Sequence, residues 1–131
     1  MHVHRDAVHH DAAHQWFAEM GSQSWATCPI TENGYVRIAS HPNYPNRPGD
    51  VQAVLAILRQ FCMAAGHHFW REDTSVREML EPNTLITHIQ ITDLYLLGLA
   101  VQHRGKLATF DHRIPTEAVR GGGEALELIV T

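Results

Sequence analysis

Apolar residues recur along this chain in two alternating rhythms, one close to 3.6 residues and one of short consecutive runs. Over 6–20, Val8, Ala12, Ala13, Trp16, Phe17 and Met20 fall near helical spacing with Gly21 as a stop, which predicts an amphipathic helix. Residues 25–28 predict a short strand, and 31–40 a helix whose first turn holds Glu32. A loop rich in proline and asparagine follows over 41–49, a surface suited to a substrate or partner. Asp50 then caps a helix over 51–65 that turns Leu55, Leu58, Phe61 and Cys62 inward, and Gly66 ends it. Residues 68–70 predict a strand, and 75–80 one or two helical turns broken at Glu81-Pro82-Asn83. A helix over 93–104, a strand over 106–110, a turn begun by Pro115, a loop at Gly121-Gly122-Gly123 and a strand over 125–130 complete the order. Strands alternating with helices imply an α/β fold with a mainly parallel sheet covered on both faces, joined by right-handed crossovers.

The stretch ITDLYLLGLAVQHRGKLATFDHRI, residues 91–114, returns two aspartates to one place. Thr92 is a good N-cap, Asp93 sits in the first turn where a carboxylate suits the helix dipole, and Arg104-Gly105 closes the far end. Twelve helical residues cover roughly 18 Å. Five strand residues running back cover roughly 17 Å. Asp93 and Asp111 therefore fall at the same edge, where open α/β proteins place their ligands.

With 131 residues the chain is read as a single domain, 1–131, able to bury about two-thirds of its unfolded surface. No apolar run is long enough to cross a bilayer and residues 1–20 carry no signal-peptide core, so no membrane association and a cytoplasmic location are expected. Both cysteines, Cys28 and Cys62, suit a reduced compartment, and Cys28 reads as a small buried thiol. A net charge of -4 removes the simplest argument for nucleic-acid binding. Any RNA contact must be local, with Arg37, Arg47, Arg104, Lys106, Arg113 and Arg120 as candidates, although basic residues scattered in this way are more often solvated surface.

Glu32, Asp93 and Asp111 each fall at a strand-to-helix edge, so a layered α/β fold would converge them. Clustered carboxylates repel unless protons or cations intervene, and with only oxygen donors Mg²⁺ or Mn²⁺ is the natural occupant. Such a site positions water for in-line attack on a phosphodiester. The hydroxyls of Thr92 and Thr109 stand beside these acids, where either could hydrogen-bond a ligating carboxylate.

The segment TDLYLLGLAVQHRGKLATFDHRI resembles the last catalytic segment of the PIN-domain family, in particular the VapC-type toxins of bacterial toxin–antitoxin pairs. WATCPITENGYVRIASHPNYP, residues 25–45, resembles the earlier acidic segment of that family, with Glu32 as its glutamate. The resemblance implies a three-layer α/β/α sandwich and a metal-dependent endoribonuclease in which Glu32, Asp93 and Asp111 are the catalytic, metal-holding acids. It also implies an RNA substrate, a homodimer, and an antitoxin partner that occupies the active-site groove. The family opens with an apolar strand ending in aspartate, whereas this chain opens with MHVHRDAVHHDAAHQWF. That strand is central in the family's sheet, so the alternative to an active nuclease is a shortened or catalytically impaired PIN-like protein that binds antitoxin or RNA.

Eleven histidines raise a rival chemistry. His10 and His14 stand one helical turn apart on one face, the spacing of zinc proteases, with Asp11 between them; a zinc-binding hydrolase is the corresponding reading. Trp16, Trp25, Trp70, Phe17, Phe61 and Phe69 are spaced as core or interface residues, and no basic residues interleave them as a base-stacking surface requires.

Overall fold

Among the described residues, four strands of three residues each pair in parallel twos. The computed structural model describes residues 24–129, which fall into two units, the first ending at Arg71 and the second beginning at Glu72. The helix expected over 6–20, with His10, His14, Trp16 and Phe17, lies outside the described residues.

In the first unit, β1 (Trp25–Thr27) leads into α1 (Pro29–Ala39), α2 (Val51–Phe61) and β2 (His67–Phe69). Strand β2 lies parallel to β1 in the register Trp25 to His67 and Thr27 to Phe69. Helix α1 begins two residues earlier than its apolar spacing suggests, because Pro29 is preorganised for a first helical position. Its start is closed by Thr31, whose Oγ1 accepts from the Cys28 N–H at 2.9 Å and donates to the Cys28 carbonyl at 3.0 Å. Asp50 caps α2 as expected, its Oδ1 accepting from the Ala53 N–H at 2.9 Å. Helices α1 and α2 pack together. The unit buries Thr27, Cys28, Ala39, Val54 and Leu58. Phe61 departs from its expected inward position and is 49% exposed. It is the last helical residue, where the stripe of Val54 and Leu58 runs off the packed layer. Phe69 is exposed as well, so the aromatic residues are only partly core.

The second unit runs through α3 (Val76–Met79), α4 (Ile91–Gln102), β3 (Leu107–Thr109), α5 (Gly122–Ala125) and β4 (Leu126–Leu128), with β3 and β4 parallel. Every residue from Leu94 to Ala100 is buried. A helix apolar all round must be covered all round, and α3, β3, α5 and the 3-10 turn at Thr116–Ala118 all pack on α4. Its start differs from the sequence expectation. A 3-10 turn at His88–Gln90, closed by reciprocal bonds between Thr87 and Gln90, feeds directly into α4. Thr92 is therefore an exposed residue inside the helix and not its cap. At the other end the Gly105 N–H reaches the Ala100 carbonyl at 2.8 Å and the Arg104 N–H the Val101 carbonyl at 3.1 Å. That is a Schellman closure, and its left-handed residue is Arg104, with φ 57°, where glycine is usual.

The three glycines expected as a loop instead start a helix. Gly121, at φ 77°, precedes α5, and a Cβ on Gly122 would meet the Thr116 carbonyl oxygen at 2.5 Å, so the backbones approach there as only glycine allows.

Helix–strand alternation and parallel pairing thus agree with the sequence reading, and among the described residues the strands form two sheets of two. Among those residues no helix is long and apolar enough to cross a membrane.

Candidate active site

Glu32 belongs to the first unit, in the first turn of α1. The parallel crossover brings β2 beside β1, and Thr27, at the end of β1, becomes a hydroxyl bridge. Its Oγ1 donates to Glu32 Oε2 at 2.6 Å and lies 2.8 Å from His67 Nε2. A hydroxyl has one proton to give; with that proton on the carboxylate, His67 Nε2–H is the donor to Thr27. The His67 ring is seated against the Trp25 indole, centroids 4.8 Å apart and planes tilted by 60°. Thr27 is 1% exposed, so this bridge is shielded and Glu32 is held by a group with little freedom to leave.

Cys62, the residue that ends α2, completes the cluster. One ligand atom each from Glu32, Cys62 and His67 lie within 4.8 Å of one another, and all three residues are partly exposed. Partial burial and then the Glu32 carboxylate push the Cys62 thiol up, a hydrogen bond with Thr27 acting in the other direction. Cys28, the other thiol, is buried as the sequence suggests.

The other two expected acids belong to the second unit. Asp93 is in the first turn of α4 and half-buried. Asp111 follows β3, and its position is fixed through the backbone: its N–H donates to the Oγ1 of Thr109, a residue 1% exposed. Its Oδ1 accepts from the Arg113 Nε at 3.1 Å and from the Arg113 N–H at 2.9 Å. Those two bonds, the side-chain one foremost, hold the Asp111 carboxyl below the usual carboxylate range against a small opposing effect of burial. Thr109 thus supports Asp111, while Thr92 is exposed on α4.

Ribonuclease VapC44 of Mycobacterium tuberculosis is 38% identical to this chain over 119 residues, covering 89% of the chain and 83% of the relative. Ribonuclease VapC39 of the same organism is 37% identical over 121 residues, 91% of the chain and 87% of the relative. The chain belongs to the VapC family. Ribonuclease VapC38 of Mycobacterium tuberculosis, 34% identical over 125 residues, covers 93% of this VapC-family chain and 86% of its own length. No family model and no solved structure matches the chain.

The VapC-type resemblance seen in the two acidic segments therefore extends along most of the chain. Sequence reasoning did not find the surroundings of Glu32. By sequence His67 merely precedes the strand expected over 68–70, and Cys62 is an inward position of the helix over 51–65. The one available signal was that both flank the α2–β2 connection, which a right-handed crossover carries back to β1.

Proposed function

We propose that this VapC-family chain is an endoribonuclease toxin that cuts RNA phosphodiester bonds with Mg²⁺ or Mn²⁺ held by Glu32, Asp93 and Asp111. Membership of a family whose curated relatives are ribonucleases carries this reading. The donor chemistry supports it: three carboxylates offer the hard oxygen ligands these cations prefer. When bound, the cation would supply a Lewis acid that activates water and stabilises the leaving oxygen. The chain's own residues set up that chemistry. Thr27 orients the Glu32 carboxylate, Thr109 fixes the backbone at Asp111, and Arg113 keeps Asp111 ionised while offering a guanidinium to a phosphate. A three-layer PIN sandwich, a homodimer, a cytoplasmic location and an antitoxin partner belong to the same proposal.

The test uses EDTA-treated protein and a fluorogenic RNA. Cleavage should appear on adding Mn²⁺ or Mg²⁺, and Glu32→Gln or Asp93→Asn should each lower the rate by about a hundredfold or more. The same cations should raise the melting temperature over that in EDTA, since a ligand of the native state stabilises it by mass action. Asp93→Asn should erase that rise. Equal melting temperatures in all conditions, or cleavage that persists in EDTA, would overturn the reading.

A further inference from the structure

Glu32 has neighbours that a site for Mg²⁺ or Mn²⁺ does not call for. A thiol and an imidazole stand within 4.8 Å of its carboxylate, and neither is a donor that hard cations select. Thiolate, imidazole and carboxylate together suit Zn²⁺, in the three-ligand arrangement that leaves a fourth position for water.

We propose that Glu32, Cys62 and His67 form a zinc site that competes with the catalytic cation for Glu32. In a tetrahedral site, metal–ligand bonds of about 2.0–2.3 Å set ligand atoms roughly 3.3–3.8 Å apart. The ligand atoms here lie within 4.8 Å of one another, at most about an ångström beyond this, within the reach of side-chain rotation at three partly exposed residues. The outer partners are already in place. Thr27 holds Glu32 through its hydroxyl, and Trp25 seats the His67 ring, as supporting groups do in zinc sites. Binding replaces the Sγ–H proton of Cys62 by the metal and releases that proton to solvent. The His67 ring coordinates through a nitrogen without a proton, either Nδ1 as it stands or Nε2 after the tautomer exchanges. Glu32 cannot then serve the catalytic cation in its usual way, so zinc should inhibit. This inhibition rests on the ribonuclease reading, whereas zinc binding itself does not.

The full chain, stripped with EDTA and kept reduced, is titrated with Co²⁺. Saturable binding of one ion per chain is expected, with a near-ultraviolet thiolate-to-cobalt band that Zn²⁺ bleaches. Cys62→Ser and Cys62→Ala should abolish the band, and His67→Ala should weaken binding by about tenfold or more. His10→Ala with His14→Ala should leave both unchanged. Metal-free melting curves establish that each variant is folded, and zinc-edge X-ray absorption of the unaltered chain should show a sulfur ligand without recourse to any variant. No thiolate band in the unaltered chain, or a band that survives loss of Cys62, overturns the site. One equivalent of zinc should also lower Mn²⁺-supported RNA cleavage, and the ratio of rates with and without zinc should rise toward unity in Cys62→Ser. The spectrum without cleavage under any metal would sink the ribonuclease reading alone; cleavage that zinc leaves untouched would sink the competition.

Discussion

A thiol beside a carboxylate resists ionisation, and Cys62 is such a thiol, with partial burial and Glu32 both favouring its neutral form. Glu32→Gln removes the negative neighbour, so the thiolate fraction at mildly alkaline pH should increase. Iodoacetamide should then modify Cys62 measurably faster, since the thiolate is the reacting form. Mass-spectrometric counting separates it from Cys28, which is only 3% exposed; an unchanged rate would show that Glu32 is not felt at the sulfur. Arg104 gives a second test at this scale. It occupies a left-handed position at φ 57°, where a Cβ is a liability. Arg104→Gly should raise stability by about 0.5–1 kcal/mol in urea titration. The individual acids were legible in the sequence because their signals are local: Glu32 and Asp93 both fall in first helical turns as expected. The thiol and imidazole at Glu32 were not legible, since Thr27 and His67 are 40 residues apart and meet only through strand pairing.

Among the elements, α4 was the easiest to foresee and the hardest to delimit. Its unbroken apolar run announces a buried helix, yet its start was misplaced because the Thr87–Gln90 turn, with a closing pattern of its own, precedes it. The same helix carries a tight contact. A Cβ at Gly98 would lie 2.7 Å from the Met79 Sδ, 3.0 Å from its Cγ and 3.2 Å from its Cβ, so the buried Met79 side chain would have to turn away and its Cβ give by a few tenths of an ångström. Gly98→Ala gains up to about 1 kcal/mol of helix propensity. Overpacking costs about 1–3 kcal/mol. A net loss is expected, and it should shrink or vanish in a Met79→Ala background, where the obstructing atoms are gone. Gly34, in the middle of α1, is the control: nothing lies within 4 Å of its added Cβ. Gly34→Ala should therefore stabilise by about 0.5–1 kcal/mol. Opposite signs at these two glycines, read from thermal or urea unfolding, would establish packing and not propensity as the deciding term; equal signs would contradict it.

Across the whole molecule, the parallel pairing predicted from alternating strands and helices is present, and it was legible because no hairpin signal joins any two strands. The grouping into two pairs was not legible, since which strands become neighbours depends on contacts remote in sequence. The two pairs differ in how far the chain must travel to close them. Trp25 meets His67 after about forty residues, and Leu107 meets Leu126 after about twenty. Doubling a loop costs roughly 0.6 kcal/mol in closure entropy, a factor of nearly three in the probability of encounter. The shorter circuit also encloses less chain to be searched, and ln kfold falls as contacts become less local. In pulsed hydrogen exchange during refolding, the amides of β3 and β4 should gain protection before those of β1 and β2. The reverse order would show that helix docking, not loop length, limits the search. If the expected order holds, the cluster at Glu32 is the last chemistry to appear as the chain matures, and a newly made molecule passes through a period in which Asp111 is already held while Glu32 still lacks its Thr27 and His67 neighbours.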